Sequence, residues 1–183
     1  MKIGIFGGSF DPVHLGHINA IEEVKYVLNF DKIIVVPAFL SPHKASASLN
    51  MSTRLECVRL ALKDYSNVEI SDYEIKQETQ VYTFDTLKYF QALYPDDDIT
   101  LVIGTDQYLN FSKWYKYQSI LDSFNVVVVN RYHDGIEIEP PFQSVNTPVF
   151  ELSSTLIRQR MKDHAPFKHL VPREVYTYLK ENN

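Results

Sequence analysis

The sequence predicts an α/β fold, a doubly wound and mainly parallel sheet with helices on both faces. Three observations carry that prediction. Apolar runs at Ile3–Phe6, Ile33–Val36, Ile99–Ile103 and Val126–Val129 are too short for helices and rich in β-branched residues, the pattern of strands buried on both faces. Helical stretches with one apolar stripe separate these runs, so strands alternate with crossovers long enough to join parallel neighbours in the right-handed sense. Glycines close the first and third runs, Gly7-Gly8 and Gly104, at the strand ends where open sheets of this kind receive ligands.

The first strand leads into Gly7-Gly8-Ser9-Phe10-Asp11-Pro12-Val13-His14-Leu15-Gly16-His17, which reads as strand, turn and helix. Two residues without a Cβ let backbone approach a phosphate closely. A helix start adds unpaired N–H groups and partial positive charge, both favourable to an anion. His14 and His17 are three apart, on one helical face, with Gly16 removing a side chain between them. The pair has metal-compatible spacing too, but neither H-E-x-x-H nor a cysteine cluster accompanies it. A basic phosphate pocket is the reading these residues favour.

Composition sets the frame. At 183 residues, 45% hydrophobic and 22% charged, the chain is expected to form a single domain spanning 1–183 with a core that needs no disulfide. The lone cysteine, Cys57, falls on an apolar helical position and reads as buried packing in a reducing, cytoplasmic setting. No membrane span or secretory leader is expected. A formal net charge of −5 opposes nucleic-acid binding and leaves any anion site to be built locally.

Taken in order, Leu15–Leu28 predicts a helix with Ile18, Ile21, Val24 and Val27 or Leu28 inward, and Lys32–Ala38 a strand beside the first. His43 and Lys44 follow on a loop at the ligand edge, adding positive charge. Asn50 or Ser52 caps a helix to Asp64, on which Arg54 and Arg59 are expected to face solvent or form local ion pairs. Val68–Ile75 is expected as a strand, and Tyr82–Tyr94 as a helix in which Asp85 and Thr86 are candidate caps. After the strand to Gly104, Asp106 suits either a ribose hydroxyl or a local cap. Trp114 and Tyr115, early in an expected helix from Ser112 to Leu121, suit core packing or stacking on a flat ligand. Strand Phe124–Asn130 ends at Arg131, a phosphate clamp or an ion-pair partner. A polar connector, Tyr132–Thr147, then precedes a short last strand, Pro148–Leu152. Ser153-Ser154-Thr155 caps a helix carrying Arg158 and forms with it a second anion site. A final helix, Arg173–Lys180, packs through Val175, Tyr178 and Leu179.

Taken whole, G-G-S-F-D-P-x-H-x-G-H resembles the signature of the H-x-G-H nucleotidyltransferases, and specifically of the bacterial nicotinate-mononucleotide adenylyltransferases. S-S-T-x-I-R at 153–158 resembles that family's second signature, and S-P-H-K at 41–44, Y-T-x-D-T-L at 82–87 and G-T-D-x-x-x-x-F-x-x-W at 104–114 resemble further segments. The chain departs from the family pattern at Ser41, Cys57 and Val81, where proline, methionine and serine are usual. The resemblance implies a Rossmann-like sheet and adenylyl transfer from ATP to nicotinate mononucleotide, with Mg2+ held mainly through the ATP phosphates. It implies catalytic roles for His14, His17, Lys44 and Arg158. ATP would meet Gly7, Gly8, Ser9, Phe10, Gly16, Gly104, Asp106, Ser153, Ser154 and Thr155. The acceptor would meet Lys44, Thr83, Asp85, Trp114, Tyr115 and Arg131, with the indole stacked on the nicotinate ring. No resident protein-held metal is expected, and an exposed strand or helix could form a homodimer. The rival readings are another acceptor for the same chemistry and a nucleotide sensor without catalysis.

Overall fold

The computed structural model describes residues 1–40, 49–131, 135–148 and 152–182. Six strands form one sheet: β1 (Lys2–Gly8), β2 (Lys32–Pro37), β3 (Val68–Ile70), β4 (Asp98–Gly104), β5 (Asn125–Arg131) and β6 (Gln143–Thr147). Their spatial order is β3-β2-β1-β4-β5-β6 and every neighbouring pair is parallel. This is the doubly wound Rossmann-like arrangement, with the order reversing direction between β1 and β4.

Side chains of the central strands alternate between two layers of core, as a period of two demands. Phe6, Val35, Val102 and Val127 face one layer, under α1 (Leu15–Leu28), α2 (Met51–Leu62), α7 (Ser154–Lys162) and α8 (Arg173–Glu181). Ile5, Ile34, Leu101 and Val128 face the other, under α4 (Thr83–Leu93) and α6 (Tyr117–Ser123). Two short helices, α3 (Tyr73–Lys76) and α5 (Thr105–Tyr108), sit at strand exits. The register sets Ile5 between Ile34 and Leu101. Gly4 is closely packed there, since a Cβ would come within 2.6 Å of Ile33 Cδ1 and force that side chain to shift. Ile21 and Val24 on α1 are fully buried, each worth about 1.5–3 kcal/mol relative to exposure. Leu28 completes their stripe, whereas Val27 is turned out to solvent.

Four expectations are corrected. The strand expected over Val68–Ile75 stops at Ile70, because Ser71 and Asp72 turn the chain into α3. The stretch expected as an unstructured connector contains β6, and the last strand lies at Gln143–Thr147; Pro148 and Leu152 are outside any strand, and 149–151 fall outside the described residues. The helix expected over Ser112–Leu121 is instead a 3-10 turn, Phe111–Lys113, followed by α6. Trp114 is extended and Lys116 has a φ of 53°, which separates the two. Finally, Arg54 does not face solvent: it is 2% exposed. Arg59 is exposed beside Glu56, as expected. Among the described residues, no helix is long and apolar enough to cross a membrane.

Candidate active site

The reversal of strand order leaves β1 and β4 wound in opposite directions at their carboxyl ends, which opens a crevice where ligands bind in such sheets. Gly7 and Gly8 end β1 on one side of it, and Gly104 ends β4 on the other. The chain leaves Gly8 through a compressed turn in which Phe10 takes a φ of 45°. The Phe10 ring lies over Gly8, where a Cβ would meet it at 3.1 Å.

His14 caps α1 and His17 occupies its first turn. The two imidazoles stack with centroids 3.8 Å apart, and the His14 backbone N–H donates to His17 Nδ1 at 3.2 Å. Gly16 makes this possible, because a Cβ would stand 3.0 Å from His14 Nδ1. His14 is buried and His17 half-buried, so the pair is held rather than swinging in solvent. The Leu15 N–H is satisfied by the Leu170 carbonyl at 3.1 Å, which pins the helix start from the far part of the chain.

The helix start of α7 is brought to the same place. Ser153 caps α7 by accepting from the Leu156 N–H, and Ser154 Oγ donates to the Pro12 carbonyl at 3.0 Å. Arg158 Nη1 donates to the Asp11 carbonyl at 2.7 Å and lies 3.6 Å from the Asp11 carboxylate, while Nη2 donates to Thr155 Oγ1 at 3.1 Å. Asp11 is buried and also accepts from the Leu49 N–H at 2.9 Å. The carboxylate thereby joins the turn, the start of α2 and the Arg158 cation.

On the other side of the sheet reversal, Asp106 is exposed on α5, directly after Gly104, whose N–H donates to Gln107 Oε1 at 2.9 Å. The capping alternative for Asp106 is not what the structure has, since Gly104 occupies the cap position. Thr83 opens α4 half-buried and Asp85, two residues on in the same turn, is exposed. Neither Asp85 nor Thr86 caps: Tyr82 holds that position, and Thr86 is buried with its hydroxyl donating to Glu74 Oε1 at 2.7 Å. Tyr82 and Tyr115 rings meet at 4.7 Å, which draws the Thr83 segment beside the Trp114–Tyr115 segment. Trp114 is half-buried against Phe111 at 5.0 Å, and Tyr115 is exposed. Lys44 lies outside the described residues, as does the side chain of Arg131.

Sequence reasoning missed three residues here. Arg54 donates to the carbonyls of Ser9, Ala38 and Phe39, at 2.7, 2.8 and 2.9 Å. Its position three and four residues before the buried Cys57 and Val58 is the signal that it shares their face. Glu74 sits under α4, where burial pushes its carboxyl up to about 7. Lys116 places its ammonium over the Phe84 and Tyr115 rings, at 4.7 and 5.0 Å, a contact that no local pattern announces.

A hollow of about 270 Å³ opens at the opposite, amino end of the sheet, between Gln91, Asp97, Asp98, Asp122 and Asn125. Its carboxylates would repel a phosphate, so it is not the nucleotide site.

A Rossmann-like sheet with two helix starts joined across a glycine turn defines a class of nucleotide-handling proteins, and the comparisons agree with it: the cytidylyltransferase-like family model matches residues 5–160. A relative from Bacillus licheniformis is 38% identical over 99% of this chain and 96% of its own length. One from Bacillus subtilis, named nicotinate-nucleotide adenylyltransferase, is 36% identical over the same shares. The solved structure of Plasmodium falciparum nicotinic acid mononucleotide adenylyltransferase complexed with NaAD shares the fold, with a TM-score of 0.84 at 18% identity over 100% of this chain and 96% of that one. The chain belongs to the cytidylyltransferase-like family and, within it, to the nicotinate-nucleotide adenylyltransferases.

Proposed function

We infer that this protein transfers the adenylyl group of ATP to nicotinate mononucleotide, giving nicotinate adenine dinucleotide and pyrophosphate. The observation that carries the reading is the junction of the two phosphate-binding helix starts. Arg158 and Ser154 of α7 are bonded to the Asp11 and Pro12 carbonyls of the turn that leads to His14 and His17. A single triphosphate can therefore be held from both sides, while a chain with separated helix starts has no such geometry.

In the reaction, a 5′-phosphate oxygen of nicotinate mononucleotide attacks the α-phosphorus of ATP. A new P–O bond forms as the bond to the β-phosphate bridging oxygen breaks, and pyrophosphate leaves with that electron pair. No covalent enzyme intermediate is required, because alignment and charge stabilisation carry most of the catalysis in such transfers. His14 and His17 take the role of aligning the α-phosphate and offsetting its developing charge. The N–H groups of Gly8 to Phe10 and the α7 start, with Ser153, Ser154 and Thr155, hold the leaving phosphates beside Arg158. Lys44 adds a cation on the acceptor phosphate, joined by Arg131. Gly7 and Gly16 keep the approach open, while Gly104 and Asp106 meet the adenosine side. Thr83 and Tyr115 bind the nicotinate carboxylate, Asp85 orders that segment, and Trp114 stacks on the ring.

The site offers imidazoles, hydroxyls, helix-start N–H groups and the Arg158 guanidinium, groups that can donate to phosphate oxygens. Among the described residues, no three His, Cys, Asp or Glu are grouped to hold a metal. Such a set fits a magnesium ion carried by ATP on its own phosphate oxygens and water, where it supplies charge neutralisation. We place the whole of residues 1–183 in one nucleotidyltransferase domain.

The test is purified protein with ATP, magnesium and, in separate reactions, nicotinate mononucleotide, nicotinamide mononucleotide and phosphopantetheine. Pyrophosphate release fastest with the first is expected. Release only with another acceptor, or none with any, sinks the reading.

A further inference from the structure

We infer that Arg54 is a positioning residue for the His17 imidazole, acting through the Ser9–Phe10 peptide; the inference rests on the adenylyl-transfer reading above. Arg54 lies in the first turn of α2 and is buried to 2% exposure. Burial pushes its guanidinium below its ordinary pKa, and Asp11 opposes that shift. A residue with this desolvation cost is poorly chosen as helix filler. Its planar fork spans two strand exits, donating to the Ser9 carbonyl after β1 and to the Ala38 and Phe39 carbonyls after β2.

Holding the Ser9 carbonyl has a consequence one residue on. The peptide unit is planar, so the Phe10 N–H is fixed antiparallel to the Ser9 carbonyl. Phe10 then takes its φ of 45°, a left-handed conformation that a bulky side chain keeps only where its surroundings hold it. From there its ring meets the His17 imidazole in an edge-type contact, with centroids 5.0 Å apart, and Phe6 at 6.1 Å. The contacts run without a gap from guanidinium to carbonyl, to backbone torsion, to aromatic ring, to imidazole. Lysine cannot replace the fork, because an ammonium is a point donor with no plane to set three carbonyls at once.

The test measures pyrophosphate release by Arg54→Lys, Arg54→Ala and, as an exposed control on the same helix, Arg59→Lys. It adds NMR of the His17 imidazole in each ligand-free protein. For Arg54→Lys, kcat is expected to fall about 10- to 100-fold with KM for ATP and acceptor within about threefold of the parent. The His17 ring resonances shift, and Arg59→Lys matches the parent in both. Arg54→Ala opens a hole and endangers the fold; if it is folded, millimolar guanidinium restores part of its turnover. In the double variant Arg54→Lys, His17→Ala, turnover equals that of His17→Ala alone, since one residue works through the other. Parent-like kcat with unmoved His17 resonances would overturn the inference, as would a full additive loss in the double variant. If the parent releases no pyrophosphate, the adenylyl-transfer reading has failed, and the ligand-free imidazole spectra still decide for or against Arg54.

Discussion

Asp11 and Arg158 are 147 residues apart in sequence, yet the Arg158 guanidinium donates to the Asp11 carbonyl at 2.7 Å and lies 3.6 Å from its carboxylate. The turn that follows β1 is thus held from α7, and from the segment leading into α2 through the Leu49 N–H on the same carboxylate. One buried side chain keeps three parts of the chain in contact at the strand reversal.

Asp11→Ala removes the acceptor for the Leu49 N–H and leaves Arg54 and Arg158 without their nearby negative charge. Unfolding free energy is expected to drop by about 2–4 kcal/mol, since buried charge partners are costly to strip singly. Urea titration at pH 7 measures this. A variant as stable as the parent would show that the carboxylate is dispensable to the turn.

Two glycine variants separate folding from chemistry. Gly4→Ala drives a Cβ to 2.6 Å from Ile33 Cδ1 in the core, so it is expected to lower stability by about 1–3 kcal/mol and spare the kinetics of the folded fraction. Gly16→Ala places a Cβ 3.0 Å from His14 Nδ1, and the imidazole must yield. Turnover there falls by about tenfold or more while the melting temperature moves little. Identical profiles for the two variants would contradict this division.

His17→Ala removes a half-buried ring from a helix start and not from the deep core. Its turnover is expected to drop by about 10²–10³-fold, the scale of losing one group that stabilises transition-state charge. Circular dichroism should match the parent. Full activity in a folded His17→Ala protein removes the ring from the mechanism.

Stability should depend on Glu74 in a definite direction. Burial raises its carboxyl from 4.5 to about 7, while the Thr86 hydroxyl, donating to it, pulls the other way. Between those values the folded protein keeps a proton that the unfolded chain has released, so stability falls as pH rises through the window and levels above it. The full loss is on the order of 3 kcal/mol. Glu74→Gln keeps an acceptor for Thr86 and abolishes this slope. It should therefore gain on the parent from pH 5 to pH 8 in paired urea titrations, and curves that stay parallel count against the assignment.

Cys57 is fully buried and its thiol is pushed up to about 12 by desolvation. A disulfide reagent should therefore react only as fast as the protein opens, and promptly in strong denaturant. Rapid modification of the native protein would place the thiol elsewhere.

What the sequence disclosed follows from where the physics is local. The Ile33–Val36 and Val126–Val129 runs could be read as buried strands because both faces of a parallel strand need apolar residues. The edge strands obey no such demand. β6 carries Val145 as its one buried apolar side chain among Gln143, Ser144 and Asn146, and β3 spans three residues, so alternation had little to mark. Ser153 was legible as a cap because its hydroxyl bonds within its own helix. Arg54 was not, since its partners are backbone carbonyls that every residue possesses and only tertiary structure aligns. Trp114 and Tyr115 lie outside a helix because Lys116 turns left-handed, a conformation its residue type does not advertise.

The bond from the Leu15 N–H to the Leu170 carbonyl gives synthesis an order. On the ribosome, the histidine-bearing helix is made early and waits for this anchor until residue 170 is free to fold back on it. A nascent chain stalled short of that length lacks the acceptor for the Leu15 N–H, so the start of the helix stays unpinned until synthesis has passed it.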